Sequence, residues 1–79
     1  RMINREKICE IIKKVSPKEI ENISGSSRIR EDLCLNSLSM LLLIVQLEEE
    51  LNKSLSPDIF INVETVDDLL GTLNEVNER

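Results

Sequence analysis

Ser37 carries a hydroxyl group that could react, and the residues around it decide whether it could act as a catalytic nucleophile. A serine acts as a nucleophile only with a general base beside it, and the sequence contains no histidine. Lysine can replace histidine only when it is desolvated, and all five lysines stand in polar stretches: Lys7, Lys13, Lys14, Lys18 and Lys53. Catalysis by Ser37 is therefore disfavoured, and we expect the purified chain not to hydrolyse an ester probe.

The cysteines and the clustered carboxylates indicate no other catalytic centre. Cys9 and Cys34 lack the CxxC spacing, and without histidine the chain has too few ligands for a zinc site. No activating base is visible near Cys34, so we expect a small, half-buried thiol in a reduced protein without a disulfide. The consecutive Glu48, Glu49 and Glu50 diverge around a helix, so we interpret them as solvated charge.

Ser37 is also suited to a second role, in which its hydroxyl accepts a chemical group. The sequence pattern places Ser37 at the start of a helix, where the free N–H groups and the helix dipole favour an attached phosphate. The alternative is that Ser37, or Asn36 beside it, only caps the helix, since serine and asparagine are ordinary N-caps. Helix-terminus physics alone leaves both roles open and favours the cap.

The apolar periodicity of the chain is helical nearly throughout, and the first half contains one helix and a long connection. Asn4 is a predicted N-cap for a first helix that ends near Val15. Ser16-Pro17-Lys18-Glu19 then predicts a short helical restart with a capping box. From Ser24 to Asn36 we expect a long irregular connection anchored by three apolar side chains: Ile29, Leu33 and Leu35.

The second half of the chain predicts two main helices and a short one. The second main helix covers about residues 37–52. Ser56-Pro57-Asp58 opens a short helical segment, and Thr65-Val66-Asp67-Asp68 is a capping box that opens the last helix. The predicted fold class is all-α, a small bundle of three main helices and one short helix after a long first connection.

The second helix carries more apolar side chains than one buried stripe requires. One stripe consists of Met40, Leu43, Ile44, Leu47 and Leu51, and a second, offset stripe consists of Leu38, Leu41, Leu42 and Val45. Two explanations are open. The helix is either central and nearly enclosed, or it presents an apolar surface to a partner.

Length and composition predict one small domain covering residues 2–79. The chain has 79 residues, of which 41% are hydrophobic, and Phe60 is the only aromatic residue, so the core must be aliphatic. Arg1 precedes Met2 and is interpreted as an expression remnant, and the Met2 start and short tail favour a free-standing protein. Since neither a signal peptide nor a membrane-spanning run is visible, we expect a cytoplasmic protein that does not bind membranes. We also expect the protein to be a monomer.

The net charge of −5 is unevenly distributed along the chain. Residues 1–30 carry eight basic and four acidic side chains, and residues 31–79 carry two basic and eleven acidic ones. This acidic balance argues against binding of nucleic acid and suits a partner with a basic docking surface. The alternative is that the negative charge only keeps the protein soluble.

The residues around Ser37 resemble a known motif. Glu31-Asp32-Leu33-Cys34-Leu35-Asn36-Ser37-Leu38-Ser39-Met40 resembles the phosphopantetheine attachment motif of acyl carrier proteins, Asp-Leu-Gly-x-Asp-Ser-Leu, which opens the second helix of that family. The resemblance covers nearly the whole chain, including Pro57 and Thr65-Val66 near the family's third and fourth helices. It implies a four-helix carrier in which Ser37, flanked by Asn36 and Leu38, accepts 4′-phosphopantetheine from coenzyme A.

The resemblance also implies the protein's partners and its cargo. A separate phosphopantetheinyl transferase that uses magnesium would attach the arm. The thiol of the arm would carry acyl or aminoacyl groups as thioesters for fatty-acid, polyketide or nonribosomal peptide biosynthesis. The second helix would be the main docking element for the transferring enzymes and synthases, through seven residues: Leu38, Ser39, Leu41, Leu42, Val45, Glu48 and Glu49.

Three departures from the family pattern refine this expectation. Ser39 and Leu42 stand where fatty-acid carriers have acidic residues, so the docking face is more apolar and favours a dedicated partner in a specialised pathway. Asn36 replaces the aspartate that helps to position the transferase's magnesium, and an amide oxygen ligates without the charge. Cys34 replaces a glycine, which disfavours a positive φ. An unmodified, carrier-like interaction module that docks a partner through the second helix therefore stays an alternative.

Overall fold

The chain folds into three α-helices and one short 3₁₀ helix. The computed structural model describes residues 2–78, so Arg1, the predicted expression remnant, lies outside the described residues. The α-helices are α1 (Arg5–Val15), α2 (Ser37–Leu51) and α3 (Val66–Asn77), and the 3₁₀ helix is Pro57–Phe60. Between residues 2 and 78 there is no β-strand, and only one isolated bridge joins Arg28 to Thr65. The all-α class is confirmed.

The prediction of four helices is corrected by the segment around Pro57. The segment spans four residues, and its N–H groups donate to carbonyls three residues earlier, from Ile59 to Ser56 (3.1 Å) and from Ile61 to Asp58 (3.1 Å). This bonding is that of a 3₁₀ helix, which is tighter than an α-helix and is used in short pieces. The fold is therefore a three-helix arrangement with one connecting 3₁₀ turn.

The helical restart predicted at Ser16-Pro17 is wrong. Residues 16–24 contain no helix, and Ser16 is extended, with ψ of 140°. Ser16 instead ends α1: Pro17 excludes the α conformation from it, and its N–H donates to Ile12 O at 2.9 Å, so this N–H is not available to the Glu19 side chain for a capping box. The Lys18 N–H donates to Ser16 Oγ at 3.2 Å, so this serine closes a local turn and does not open a helix.

The helix starts follow the predicted caps. Asn4 Oδ1 accepts a hydrogen bond from the Lys7 N–H at 2.8 Å at the start of α1. At the start of α3, Thr65 and Asp68 form the predicted capping box. The Asp68 carboxylate accepts from the N–H groups of Thr65 and Glu64, each at 3.0 Å, and these bonds hold the pKa of Asp68 below its ordinary value.

The long connection between α1 and α2 is tied to the start of α3. The Ile29 N–H donates to Glu64 O (2.9 Å), and the Val66 N–H donates to Ser27 O (3.1 Å). The predicted anchors Ile29, Leu33 and Leu35 are all buried, which confirms their role. These bonds and contacts hold the end of the connection, and therefore the start of α2, in a defined place.

One hydrophobic core joins all the elements. α1 packs against both α2 and α3, and the 3₁₀ helix packs against α3. Apart from Phe60, every buried apolar side chain is isoleucine, leucine or valine, as the composition predicts. No helix within residues 2–78 is long and apolar enough to cross a membrane.

Candidate functional site

Asn36 caps helix α2. Its Oδ1 accepts from the Ser39 N–H at 2.9 Å, and Ser39 Oγ accepts from the Asn36 N–H at 2.8 Å. The Asn36 backbone is extended, as an N-cap requires, and the two residues complete a reciprocal capping box. The N–H groups of Asn36 and Ser39 are therefore satisfied without the Ser37 side chain.

Ser37, the first residue of α2, keeps an available hydroxyl. Its side chain is exposed, and no residue between 2 and 78 forms a hydrogen bond with Ser37 Oγ. Of the two caps left open by the sequence, the structure selects Asn36. Ser37 thus stands at a helix N-terminus with a hydroxyl that has no structural task, which is the geometry required of an acceptor.

Ser37 lines a mainly apolar groove. Its volume is about 600 Å³, and it lies between the end of the long connection, α2 and the 3₁₀ helix. Six apolar residues line it: Leu35, Met40, Leu41, Ile44, Pro57 and Phe60. The remaining lining residues, Arg30, Asn36 and Ser37, are polar, so the groove has a mainly apolar lining with a polar part that includes Ser37. A flexible chain attached to Ser37 could fold into this groove.

The second apolar stripe of α2 is exposed. Leu43, Leu47 and Leu51 of the first stripe are buried, whereas Leu38 is 66% exposed and Leu41 is 56% exposed. Leu42 and Val45 are also close to half exposed. The structure therefore rejects the enclosed helix and shows an apolar surface, which we call the leucine face: Leu38, Leu41, Leu42 and Val45. Leu41 also lines the groove, so this face is continuous with the groove.

Two of the seven predicted docking residues, Ser39 and Glu48, are not exposed. Ser39 is only 3% exposed because its hydroxyl is turned into the capping box, so its placement on the outer face of α2 is wrong. Glu48 is half-buried, and its Oε2 accepts from the Leu55 N–H at 2.8 Å, which fastens the chain after α2. Glu49 is exposed, as predicted for a docking residue.

Cys34 adopts the backbone conformation that its side chain disfavours. Its φ is +58°, in the left-handed region where the family motif has glycine. The thiol is exposed, so the expectation of a half-buried Cys34 is wrong; Cys9 is the partly buried cysteine, and both are free. The turn lets Leu33 and Leu35 on either side enter the core, and their burial offsets the local strain.

We expect Cys34→Gly to stabilise the protein by about 1 kcal/mol. A left-handed non-glycine residue costs about 1–2 kcal/mol, and the greater freedom of glycine in the unfolded chain offsets part of that gain. Cys34→Ala is the matched control, because alanine keeps Cβ and removes only the exposed thiol. Urea unfolding measures both variants, and a Cys34→Gly protein no more stable than Cys34→Ala would contradict the prediction.

The other titratable groups form no second centre in the described chain. Among residues 2–78, no three cysteine or carboxylate side chains lie close enough together to hold a metal ion. Arg5 Nε is paired with Asp67 Oδ1 at 2.8 Å, and this hydrogen bond raises the pKa of Arg5. Burial raises the pKa of the Cys9 thiol, which makes it less reactive.

Comparison with known proteins agrees with this site. The chain belongs to the phosphopantetheine attachment-site family, whose family model matches residues 6–73. Its structure is similar to that of a Mycobacterium tuberculosis protein provisionally assigned as an acyl carrier protein, with a TM-score of 0.74 and 26% sequence identity. That match covers 87% of this chain and 92% of the other. The resemblance inferred from the motif is confirmed: the chain is a carrier for covalent 4′-phosphopantetheine and is not a catalyst.

The sequence did not indicate every residue of the site. Arg30, Pro57 and Phe60 line the groove, although Arg30 lies outside the motif around Ser37 and the other two come from a segment far from it in sequence. Pro57 and Phe60 were identified only as parts of a helical segment and of the core. No local signal marks Arg30, which is one of several basic residues in the first part of the chain.

Proposed function

We propose that Ser37 is the attachment residue and that the chain, as a single carrier domain, holds acyl or aminoacyl groups as thioesters. The observation that carries this proposal is that Asn36 caps α2, which leaves the exposed Ser37 hydroxyl free beside an apolar groove. The pathways considered are fatty-acid, polyketide and nonribosomal peptide biosynthesis. In each, the 4′-phosphopantetheine thiol would form and release the thioester.

The attachment step requires a second protein. Ser37 Oγ forms a new bond to the phosphorus of coenzyme A that bears pantetheine, the adenosine bisphosphate leaves, and the hydroxyl proton passes to a base. Neither histidine nor an ionisable side chain that hydrogen-bonds to Ser37 is present in residues 2–78 to serve as that base. A phosphopantetheinyl transferase would supply it, with magnesium to bind the phosphates.

The leucine face would dock the transferase and the enzymes that use the cargo. Four apolar side chains that are each about half exposed or more form a surface that a partner can bury. Glu49 adds an exposed acidic group beyond this face. The apolar character supports a dedicated partner in a specialised pathway over the more electrostatic docking expected in fatty-acid synthesis.

The test is intact-mass measurement after incubation with coenzyme A, magnesium and transferases of broad specificity. We expect a gain of one phosphopantetheine group, and peptide mapping should place it on Ser37. An unchanged mass with several transferases would refute the proposal, as would an arm mapped to another residue.

We expect Asn36→Asp to raise the rate of arm attachment by about tenfold, which corresponds to about 1.4 kcal/mol. The carboxylate can still accept the Ser39 N–H and adds a charge for the transferase's magnesium. Coenzyme A turnover by the transferase, measured as kcat/KM for each carrier variant, checks this.

Asn4→Asp is the matched control, because Asn4 caps α1 in the same way. Both substitutions should stabilise a helix start by about 0.3–1 kcal/mol, since a carboxylate interacts favourably with the helix dipole. Only Asn36→Asp should accelerate attachment. Equal attachment rates in the two variants would show that the charge at Asn36 has no role in it.

A second candidate function is an unmodified interaction module that docks a partner through α2. The exposed leucine face favours it, because such a surface can bind a protein whether or not Ser37 carries an arm. It predicts a stable complex that does not depend on the Ser37 hydroxyl. The Ser37→Ala experiment described in the Discussion separates the two candidates.

A further inference from the structure

Arg30 brings a positive charge without an acidic partner to the groove that Ser37 also lines. Its Nη1 donates a long hydrogen bond of 3.5 Å to Val63 O, and within residues 2–78 it forms no ion pair. No aspartate or glutamate lines the groove. The groove therefore contains a positive charge that no acidic side chain in its lining neutralises.

Arg28, two residues earlier in the same connection, does have an acidic partner. Its Nη2 pairs with Asp32 Oδ1 at 3.1 Å, and its Nε donates to Asp32 Oδ2 at 3.2 Å. The side-chain hydrogen bonds from Arg28 hold the pKa of Asp32 below its ordinary value. The donors of Arg28 are thus committed to Asp32, whereas those of Arg30 are available, and the two arginines form a matched pair for experiment.

We propose that Arg30 binds the phosphodiester that forms on Ser37 and so directs the arm into the groove. This inference rests on the proposed attachment of the arm to Ser37. The phosphorus would be bonded to Ser37 Oγ, so its charged oxygens would lie beside Ser37, which lines the same groove as Arg30. Guanidinium groups bind phosphate oxygens with paired N–H donors, so the contact is strong and also fixes the orientation of the phosphate.

A carboxylate on the cargo is the other possible source of the anion. It would stand at the far end of the arm and could reach Arg30 only if the whole arm folded back along the groove. The phosphodiester is close to the groove whatever the cargo. The observations therefore favour the phosphodiester, and the cargo carboxylate becomes an outcome of the test.

The experiment compares the protein before and after loading of the arm, with intact mass confirming each form. Three loaded forms are made: the free thiol, the neutral butyryl thioester and the succinyl thioester, which ends in a carboxylate. The Nε–Hε signals of the arginines and the phosphorus signal of the arm are followed by NMR. The variants are Arg30→Gln, Arg30→Lys and, as the matched control, Arg28→Gln.

We expect the Arg30 signal to shift in all three loaded forms while the Arg28 signal stays in place. In Arg30→Gln the phosphorus signal should move towards that of free phosphopantetheine, Arg30→Lys should restore part of the difference, and Arg28→Gln should keep the wild-type position. Because Arg30 is exposed and makes only one long hydrogen bond, its variants should fold, which circular dichroism checks.

Two results would overturn the inference while leaving the proposed function intact. One is a normal gain in mass with no shift of the Arg30 signal in any loaded form. The other is a shift in the succinyl form alone, which would assign Arg30 to the cargo. A protein that gains no mass with any transferase would instead refute attachment at Ser37, and the role of Arg30 with it.

Discussion

Ser37→Ala is expected to abolish attachment of the phosphopantetheine arm. Alanine has no oxygen with which to form the phosphodiester, so the intact mass should stay unchanged under conditions that load the wild-type protein. The hydroxyl makes no hydrogen bond within residues 2–78, so the free energy of unfolding should change by no more than about 0.5 kcal/mol. The loss would then be chemical and not structural.

Ser39→Ala is the matched control for this loss. It removes a serine hydroxyl two positions away and breaks the Asn36–Ser39 capping box, which should cost about 1 kcal/mol of stability. Ser39→Ala should still be loaded, because Ser37 is unchanged. Loading of Ser37→Ala to the wild-type extent would refute Ser37 as the acceptor.

The same variant separates the carrier from the interaction module. A partner enzyme that recognises the loaded arm should lose its productive interaction with Ser37→Ala. A partner held only by the leucine face should bind Ser37→Ala and the wild-type protein equally. Copurification of a stable complex with both proteins, together with no loading of the wild type, would favour the interaction module.

Leu47→Ala is expected to destabilise the domain by about 3 kcal/mol, within the range of about 2–5 kcal/mol for buried leucines. Leu47 is fully buried in the core, in the middle of the first stripe of α2. Small domains have about 5–15 kcal/mol of stability in total, so this loss removes a large part of it. Denaturant unfolding followed by circular dichroism measures the change.

Leu41→Ala is the matched control on the same helix. Leu41 is 56% exposed, so the same substitution removes much less buried surface and should cost less than about 1 kcal/mol. If the partner docks on the leucine face, Leu41→Ala should weaken partner binding although the fold is intact. Similar destabilisation by the two substitutions would contradict the assignment of the two stripes.

The sequence by itself determined the features that depend on a few consecutive residues. Asn4 and Thr65 start helices because their side chains reach N–H groups only three residues away. The stripe containing Leu43 and Leu47 is buried because helical periodicity puts its members on one side. The motif around Ser37 likewise lies in one short stretch, so its type and position could be predicted.

The tertiary structure alone decided questions that depend on distant segments. Whether the stripe with Leu38 and Leu42 is enclosed depends on how many elements pack around α2. The periodicity of the sequence does not predict that number. Cys34 takes a left-handed conformation because the burial of the leucines on both sides outweighs a local preference. Arg30 and Phe60 face one groove only after the long connection folds against the rest of the chain. Local patterns predict the helices and the acceptor, whereas the groove beside it is a product of packing.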